Sequence, residues 1–292
     1  MVNLLIYSSF FVLPLLASVK VIFQGKLMKK TTDTPVDTAI ILNGWIFTFS
    51  FLVLACIFVR ALPTTDILLY ALGFGAFQVV FQVAYVMAFS EGSVALSSII
   101  VSLSVAIPML FGILVYHEEV SMLNVIGMVL LVIPIVLIPK EAGKKRVNLK
   151  WVVYISITAI ASGILNCLLI YATKTGYNSS QTREMLIYGY LIAGIALFAI
   201  SALKGKKPVY KDEKYGKFIL IIIIVAVSLG LYNTFLATAL QTINSSILYP
   251  VVNVLTIVFM VISDYILYKQ KLSSKQKIGV IFAIICVILL NI

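Results

Sequence analysis

Nine side chains able to hydrogen-bond or carry charge sit inside otherwise apolar stretches: Lys20, Gln78, Gln82, Tyr85, Asn166, Tyr232, Asn233, Tyr249 and Asn253. Amides, phenols and one ammonium can hold a small molecule, but they supply no nucleophile, no acid–base pair and no metal-ligand set. Gln78, Gln82 and Tyr85 fall at i, i+4 and i+7, one stripe of a helix, and Tyr249, Asn253 and Thr256 repeat that spacing. Ser162 and Asn166 are at i, i+4, and Tyr232, Asn233 and Thr234 are consecutive. The single His117 has no second histidine to share a metal or triad with, and Cys56, Cys167 and Cys286 lie far apart with no CxxC pair. No P-loop or dinucleotide motif occurs. The chemistry on offer is binding, with no catalytic residue, cofactor or metal expected.

The elements that must position these residues follow from composition. Of 292 residues 62% are hydrophobic and only 11% charged, with a mean hydropathy of +1.11. A soluble domain carries about 25% charged residues, so most of this surface must face lipid. A helix needs about 20 apolar residues to cross the ~30 Å hydrocarbon core. Runs of that size recur at roughly 3–25, 37–59, 66–89, 93–115, 120–139, 150–172, 183–203, 216–240, 245–267 and 273–291. The expected fold is therefore all-α and polytopic, with ten transmembrane helices, and the apolar N-terminus, which lacks a basic start, reads as a retained first span.

Of the 22 lysines and arginines, 18 lie in the loops after the first, third, fifth, seventh and ninth spans, among them Lys144, Lys145, Arg146, Lys206, Lys207, Lys271 and Lys275. Only Arg60, Lys174 and Arg183 lie on the other side. By the positive-inside rule the basic loops should be cytoplasmic, with both termini outside a plasma (inner) membrane. The same clustering explains the net charge of +11 as membrane topology and excludes nucleic acid as a partner.

The chain carries an internal duplication. Residues 116–137 lie on 268–289 without a gap, so that Tyr116, Ser121, Ile126, Gly127 and Leu137 match Tyr268, Ser273, Ile278, Gly279 and Leu289. The same offset of 152 pairs Ser93 with Ser245, Leu96 with Leu248 and Leu103 with Leu255. Two five-helix repeats, 1–140 and 150–292, joined by a basic linker loop at 141–149, account for this. Because five is odd, the second enters from the opposite side, and such inverted repeats place substrate sites near the midplane where they meet.

With these features the chain resembles the ten-helix branch of the drug/metabolite transporter superfamily, the EamA-type exporters. The turn YHEEVSMLNVIG carries Glu118 three residues before Ser121, at that family's glutamate position, whereas YKQKLSSKQKIG has Gln270 there; the prolines are displaced to Pro108 and Pro250. The resemblance implies a carrier without enzymatic activity, moving a small-molecule substrate by alternating access around a central cavity lined by both halves. Small multidrug exporters of the superfamily use a mid-membrane glutamate for cations and protons, and no Asp or Glu lies near the middle of any span here. Neutral, zwitterionic or anionic metabolites are thus expected; a lipid-linked-sugar flippase or a proton-coupled drug exporter are the alternatives. Besides the substrate and the bilayer no partner is needed, and a monomer or a homodimer would serve.

Each polar residue also has a plainer reading. Ser97, Ser98, Ser102 and Ser104 can join helices with no substrate involved. Tyr85 and Tyr249 lie near span ends, where tyrosines anchor at the interface. Lys20 lies six residues before Lys26, about 9 Å along the axis, and could snorkel to the charged end or anchor a carboxylate or phosphate. Pro250 falls in the first two turns of the ninth span, where few internal donors can be lost, and Asn253 one turn deeper has the apolar Val101 as its repeat partner.

Overall fold

The computed structural model describes residues 2–28, 35–58, 63–91, 94–137, 149–175, 177–205, 215–268 and 273–290. Lys144, Lys145, Arg146, Lys206, Lys207, Gln270 and Lys271, and nearly all of the linker 141–149, lie outside the described residues. Every regular element described is a helix: α1 (Val2–Met28), α2 (Pro35–Phe58), α3 (Thr65–Glu91), α4 (Val94–Leu103), α5 (Ala106–Tyr116), α6 (Met122–Leu130), α7 (Val132–Leu137), α8 (Leu149–Lys174), α9 (Ser179–Leu203), α10 (Tyr215–Ala239), α11 (Ser245–Tyr268) and α12 (Ser274–Leu290). Six of these are long and apolar enough to cross a membrane by length and composition, and further apolar helices are shorter. The chain is a multi-pass membrane protein.

Two apolar runs expected as single spans are each interrupted. The run 93–115 becomes α4 and α5 with a break at Ser104 and Val105, because Pro108 has no N–H for the Ser104 carbonyl and its ring crowds that carbonyl. The local ladder tightens in response, with the Ile107 N–H bonding Ser104 O at 3.0 Å. Pro134 acts similarly on the run 120–139, which divides at Leu131 into α6 and α7. Pro250 does not divide α11. Its missing N–H leaves the Ser246 carbonyl without its i+4 donor, yet α11 continues through it without a break.

The helices pack as a closed ring. α1 packs on α10, α10 on α2, α2 on α9, α9 on α3, α3 on α8, α8 on α5, α5 on α11, and α11 returns to α1. Members from 1–140 and from 149–292 alternate at every step, so the two stretches of sequence interdigitate rather than stand apart. α6, α7 and α12 pack on one another outside the ring and reach α11. Close approach of α2 and α9 depends on two glycines: a Cβ on Gly44 would lie 3.0 Å from the Phe198 ring, and one on Gly194 2.7 Å from Thr48 Oγ1.

Candidate functional site

At one end of the bundle, α5 terminates in His117, whose left-handed conformation (φ 51°, ψ 40°) turns the chain so that its N–H bonds the Gly112 carbonyl. The turn delivers Glu118 into the bundle. Its Oε1 accepts from Lys174 Nζ at 2.8 Å and from the Ser245 N–H and Oγ at 2.9 Å each, and its Oε2 accepts from the Ser246 N–H at 2.8 Å. The carboxylate thereby caps the positive end of α11 and ties it to the end of α8. Burial on its own raises the pKa, but the Lys174 ammonium and the Ser246 and Ser245 N–H groups outweigh it and hold the carboxyl at about 2. This ionised clamp is a fixture between helices.

The interior of the ring holds the other candidates. Gln78 lies at the midpoint of α3 and Gln82 one turn beyond, and they are 7% and 6% exposed. Among the described residues neither amide has a hydrogen-bond partner. Their polar atoms keep some accessible surface, unlike the fully buried and unpartnered Arg183 Nε and Ser246 Oγ, so the two amides present free donors and acceptors on one face of α3. Tyr85, the third member of the stripe, stacks on Phe81 at 5.5 Å and is half-buried.

The remaining candidates divide by how they are satisfied. Asn253 donates its amide to the Ser102 carbonyl at 2.9 Å. The break between α4 and α5 leaves that carbonyl only a long bond from the Val105 N–H at 3.4 Å, so Asn253 repairs a helix end. Its stripe partner Thr256 bonds within α11 to Val252 O. Asn233 donates to the Tyr190 hydroxyl, joining α10 to α9. The Tyr249 hydroxyl donates to the Asn166 backbone carbonyl at 3.3 Å, joining α11 to α8, and the Asn166 amide donates to Ser162 O at 2.9 Å in its own helix. The Tyr232 hydroxyl has no partner among the described residues and its ring packs on the core. The expected residues therefore do not form one cluster: Tyr249 and Asn166 meet, Asn233 and Asn253 bond elsewhere, and Gln78, Gln82, Lys20 and Tyr232 keep unbonded polar ends.

Two interior polar residues escaped the sequence reading. Asn43 of α2, 2% exposed, accepts from Gln24 Nε2 of α1 at 3.0 Å and donates to Ala39 O at 2.7 Å. Tyr190, fully buried on α9, stacks against Phe47. Both stand alone within apolar runs, so no stripe marks them; the signal available was Asn43 as the one amide inside the second span. Near them a narrow crevice of about 170 Å³ runs between α2, α3 and α9, lined by Val36, Ala39, Ile40, Gln82, Val83, Val86 and Leu197. Small-molecule sites enclose about 300–1,000 Å³, so this crevice is too small for a metabolite in the conformation described. At the end of the bundle opposite the Glu118 clamp, Lys204 Nζ bonds Asp37 Oδ1 at 3.1 Å, tying α9 to α2.

Comparison with known proteins places this architecture. The model of the EamA-like transporter family matches the chain twice, over residues 5–140 and 149–292. The chain belongs to the EamA-like transporter family. A solved structure titled only "Crystal structure of protein" superposes with a TM-score of 0.72 at 15% identity, covering 96% of this chain and 94% of that one. That likeness concerns the fold. No curated protein matches the sequence. The two family matches coincide with the two stretches that alternate around the ring, and α6 and α7 of the first and α12 of the second pack outside it. The family generally carries small molecules across membranes and is non-enzymatic.

Proposed function

We propose that this EamA-family protein is a secondary transporter that moves a small neutral, zwitterionic or anionic metabolite by alternating access. In this reading α4 with α5, and α6 with α7, are single interrupted spans, so ten spans form two inverted five-helix repeats around a midplane site. The packing supports the inversion. Gly44 meets Phe198 while Gly194 meets Thr48, two contacts that exchange under one offset of 150, as a two-fold axis between α2 and α9 requires. α3 on α8 and α10 on α1 are likewise equivalent pairings. The basic loops lie on the cytoplasmic side of the inner membrane, which puts the Glu118 clamp at the outer face and the Asp37–Lys204 bridge at the inner face.

The observation that carries the proposal is the pair of unpartnered glutamine amides at the middle of α3 inside a ring built from both repeats. A passing solute with donors and acceptors supplies what those amides lack. The ring closes on itself through packed neighbours, which favours a water-soluble solute over a lipid-linked one.

The test is a thermal-shift screen of the purified full chain against neutral, zwitterionic, anionic and cationic metabolites, followed by counterflow in proteoliposomes. A ligand at 100 times its dissociation constant adds about 2.7 kcal/mol of stability. At least one metabolite should stabilise the protein and exchange across the bilayer, and Gln78→Ala with Gln82→Ala should remove both effects. Stabilisation and exchange that persist unchanged in the double variant would sink the assignment.

A further inference from the structure

Lys20 is the one charged side chain that the described ring places well within a membrane span on an inward face. Its position in α1 resolves the choice between snorkelling and inward orientation. Leu13 and Gln24 stand at i−7 and i+4 from it, on the same stripe of the helix. Leu13 is fully buried in the main core, and Gln24 bonds Asn43 of α2. The face of α1 that meets lipid is a different one, marked by Phe11, Leu15 and Val21 at 58%, 40% and 41% exposure. A lysine snorkelling along lipid would share that face; Lys20 is half-buried with the interior set.

Among the described side chains nothing neutralises it. Among the described residues Lys20 has neither a hydrogen bond nor an ion pair. The described carboxylates lie elsewhere: Glu118 is held by Lys174 and the start of α11, Asp37 by Lys204, and Asp66, Glu91, Glu119 and Glu184 lie at helix ends or turns. The described interior of the ring is thus mainly an apolar core that carries one positive charge with no described counter-charge. Isolated charges at this depth are costly and persist where they face a partner or a water-filled path.

Depth supplies the second observation. Lys20 lies five residues past the midpoint of α1, and Gln82 four residues past the midpoint of α3, about 7 Å and 6 Å along the axes at 1.5 Å per residue. Both helices run in the same direction across the ring, so the ammonium and the unpartnered amide share a level on the cytoplasmic side of the middle. Asn43, bonded through Gln24, lies on that side too.

We infer that the cargo is a small anion, a carboxylate or a phosphate, whose charge is taken by Lys20 while Gln82 and Gln78 bond its remaining polar groups. This rests on the transporter reading and narrows it: cations are rejected by the unneutralised ammonium, and neutral solutes lack the group that compensates it. A carboxylate and a phosphate share the chemistry that Lys20 recognises. Their sizes differ, and the test separates them.

The experiment measures stabilisation of the full chain by small carboxylates, each beside its own primary amide, and by inorganic phosphate, with counterflow for every member that binds. An acid should stabilise the wild type at least tenfold more potently than its amide. Lys20→Gln should erase that preference while leaving weak amide binding in place, and Lys20→Arg should restore it. The Lys20→Gln protein must elute as a monodisperse species, which separates lost recognition from lost fold. A phosphate response with no carboxylate response identifies a phosphate-bearing cargo and supports the inference equally. Neutral ligands bound at Gln82 with no acid-over-amide preference overturn it and leave the transporter reading intact, whereas cationic ligands overturn it and the proposed substrate class together. If no solute of any charge binds or exchanges, both readings fall.

Discussion

Glu118 Oε1 and the Ser245 backbone nitrogen lie 2.9 Å apart although 127 residues separate them in the chain, and Lys174 closes on the same oxygen at 2.8 Å. One carboxylate from the first EamA unit thus fixes the start of a helix in the second. Removing one partner of a buried, hydrogen-bonded charge pair costs about 3–5 kcal/mol. Glu118→Ala is expected to lower thermal stability by that amount in detergent, and Glu118→Gln by less, since an amide oxygen can still accept from the Ser245 and Ser246 N–H groups. Equal melting temperatures for all three proteins would remove the clamp from the account.

The same carboxylate sets a pH dependence. Its folded pKa, about 2, lies below the ordinary carboxylate value near 4.5, so its contribution is complete above the latter and is lost as pH falls through the former. Melting curves between pH 7 and 5 should show no change from this group, and stability should decline from about pH 4.5 toward pH 2. Glu118→Gln should flatten that decline. A wild-type protein and variant that lose stability in parallel would show that other groups govern the acid limb.

Gly112 lies under the clamp, and a Cβ there would overlap Ser245 Oγ and stand 2.6 Å from Glu118 Oε2. Crowding a packed site typically costs about 1–3 kcal/mol. Gly112→Ala is therefore expected to destabilise, whereas Gly73→Ala, where a Cβ would meet nothing within 4 Å, should be tolerated. Comparing the two melting temperatures checks the geometry without any ligand.

The interior amides should separate into two classes. Asn253 is bonded to the Ser102 carbonyl, so Asn253→Ala strands that acceptor and should cost about 1–3 kcal/mol. Gln82 has no partner among the described residues, so Gln82→Leu should leave the melting temperature unchanged or raise it while abolishing the ligand-induced shift. Unfolding of the two variants with and without the best ligand distinguishes them. If Gln82→Leu destabilised as much as Asn253→Ala, the binding role assigned to Gln82 would fail.

The Asp37–Lys204 bridge is half-open to solvent, with the lysine side chain 42% exposed. The Asp37 carboxylate is 10% exposed, so stripping its charge leaves a half-buried ammonium unpaired at a cost of about 1–3 kcal/mol. Asp37→Asn should therefore lower the melting temperature modestly, and a change in exchange rate much larger than that loss would report the opening of this end. Labelling of single cysteines at Ser179 and Gly205 with an impermeant thiol reagent should mark opposite sides of the membrane, Ser179 from outside.

Much of this protein could be read from its residues in order. Apolar runs of about 20 residues dictate spanning helices because lipid offers no partner for an open backbone, and the described helices follow those runs closely. The stripe of Gln78 and Gln82 was legible because helical periodicity is local. The interruptions at Ser104 and Leu131 were carried by Pro108 and Pro134, yet Pro250 breaks nothing, since the consequence of a proline depends on its place in the helix and on what can bond the freed carbonyl.

Tertiary structure alone decided which polar groups are spent on the fold. Asn253 and Gln82 look alike in sequence, an amide in an apolar run with a tyrosine on the same stripe. One faces the frayed carbonyl of Ser102, 151 residues away, and the other faces an interior that offers it nothing. Lys20 is likewise ambiguous along the chain and acquires an orientation only because Leu13 and Gln24 on its stripe meet the core and Asn43. A residue's own helix sets its face and depth. What stands opposite is set by long-range packing.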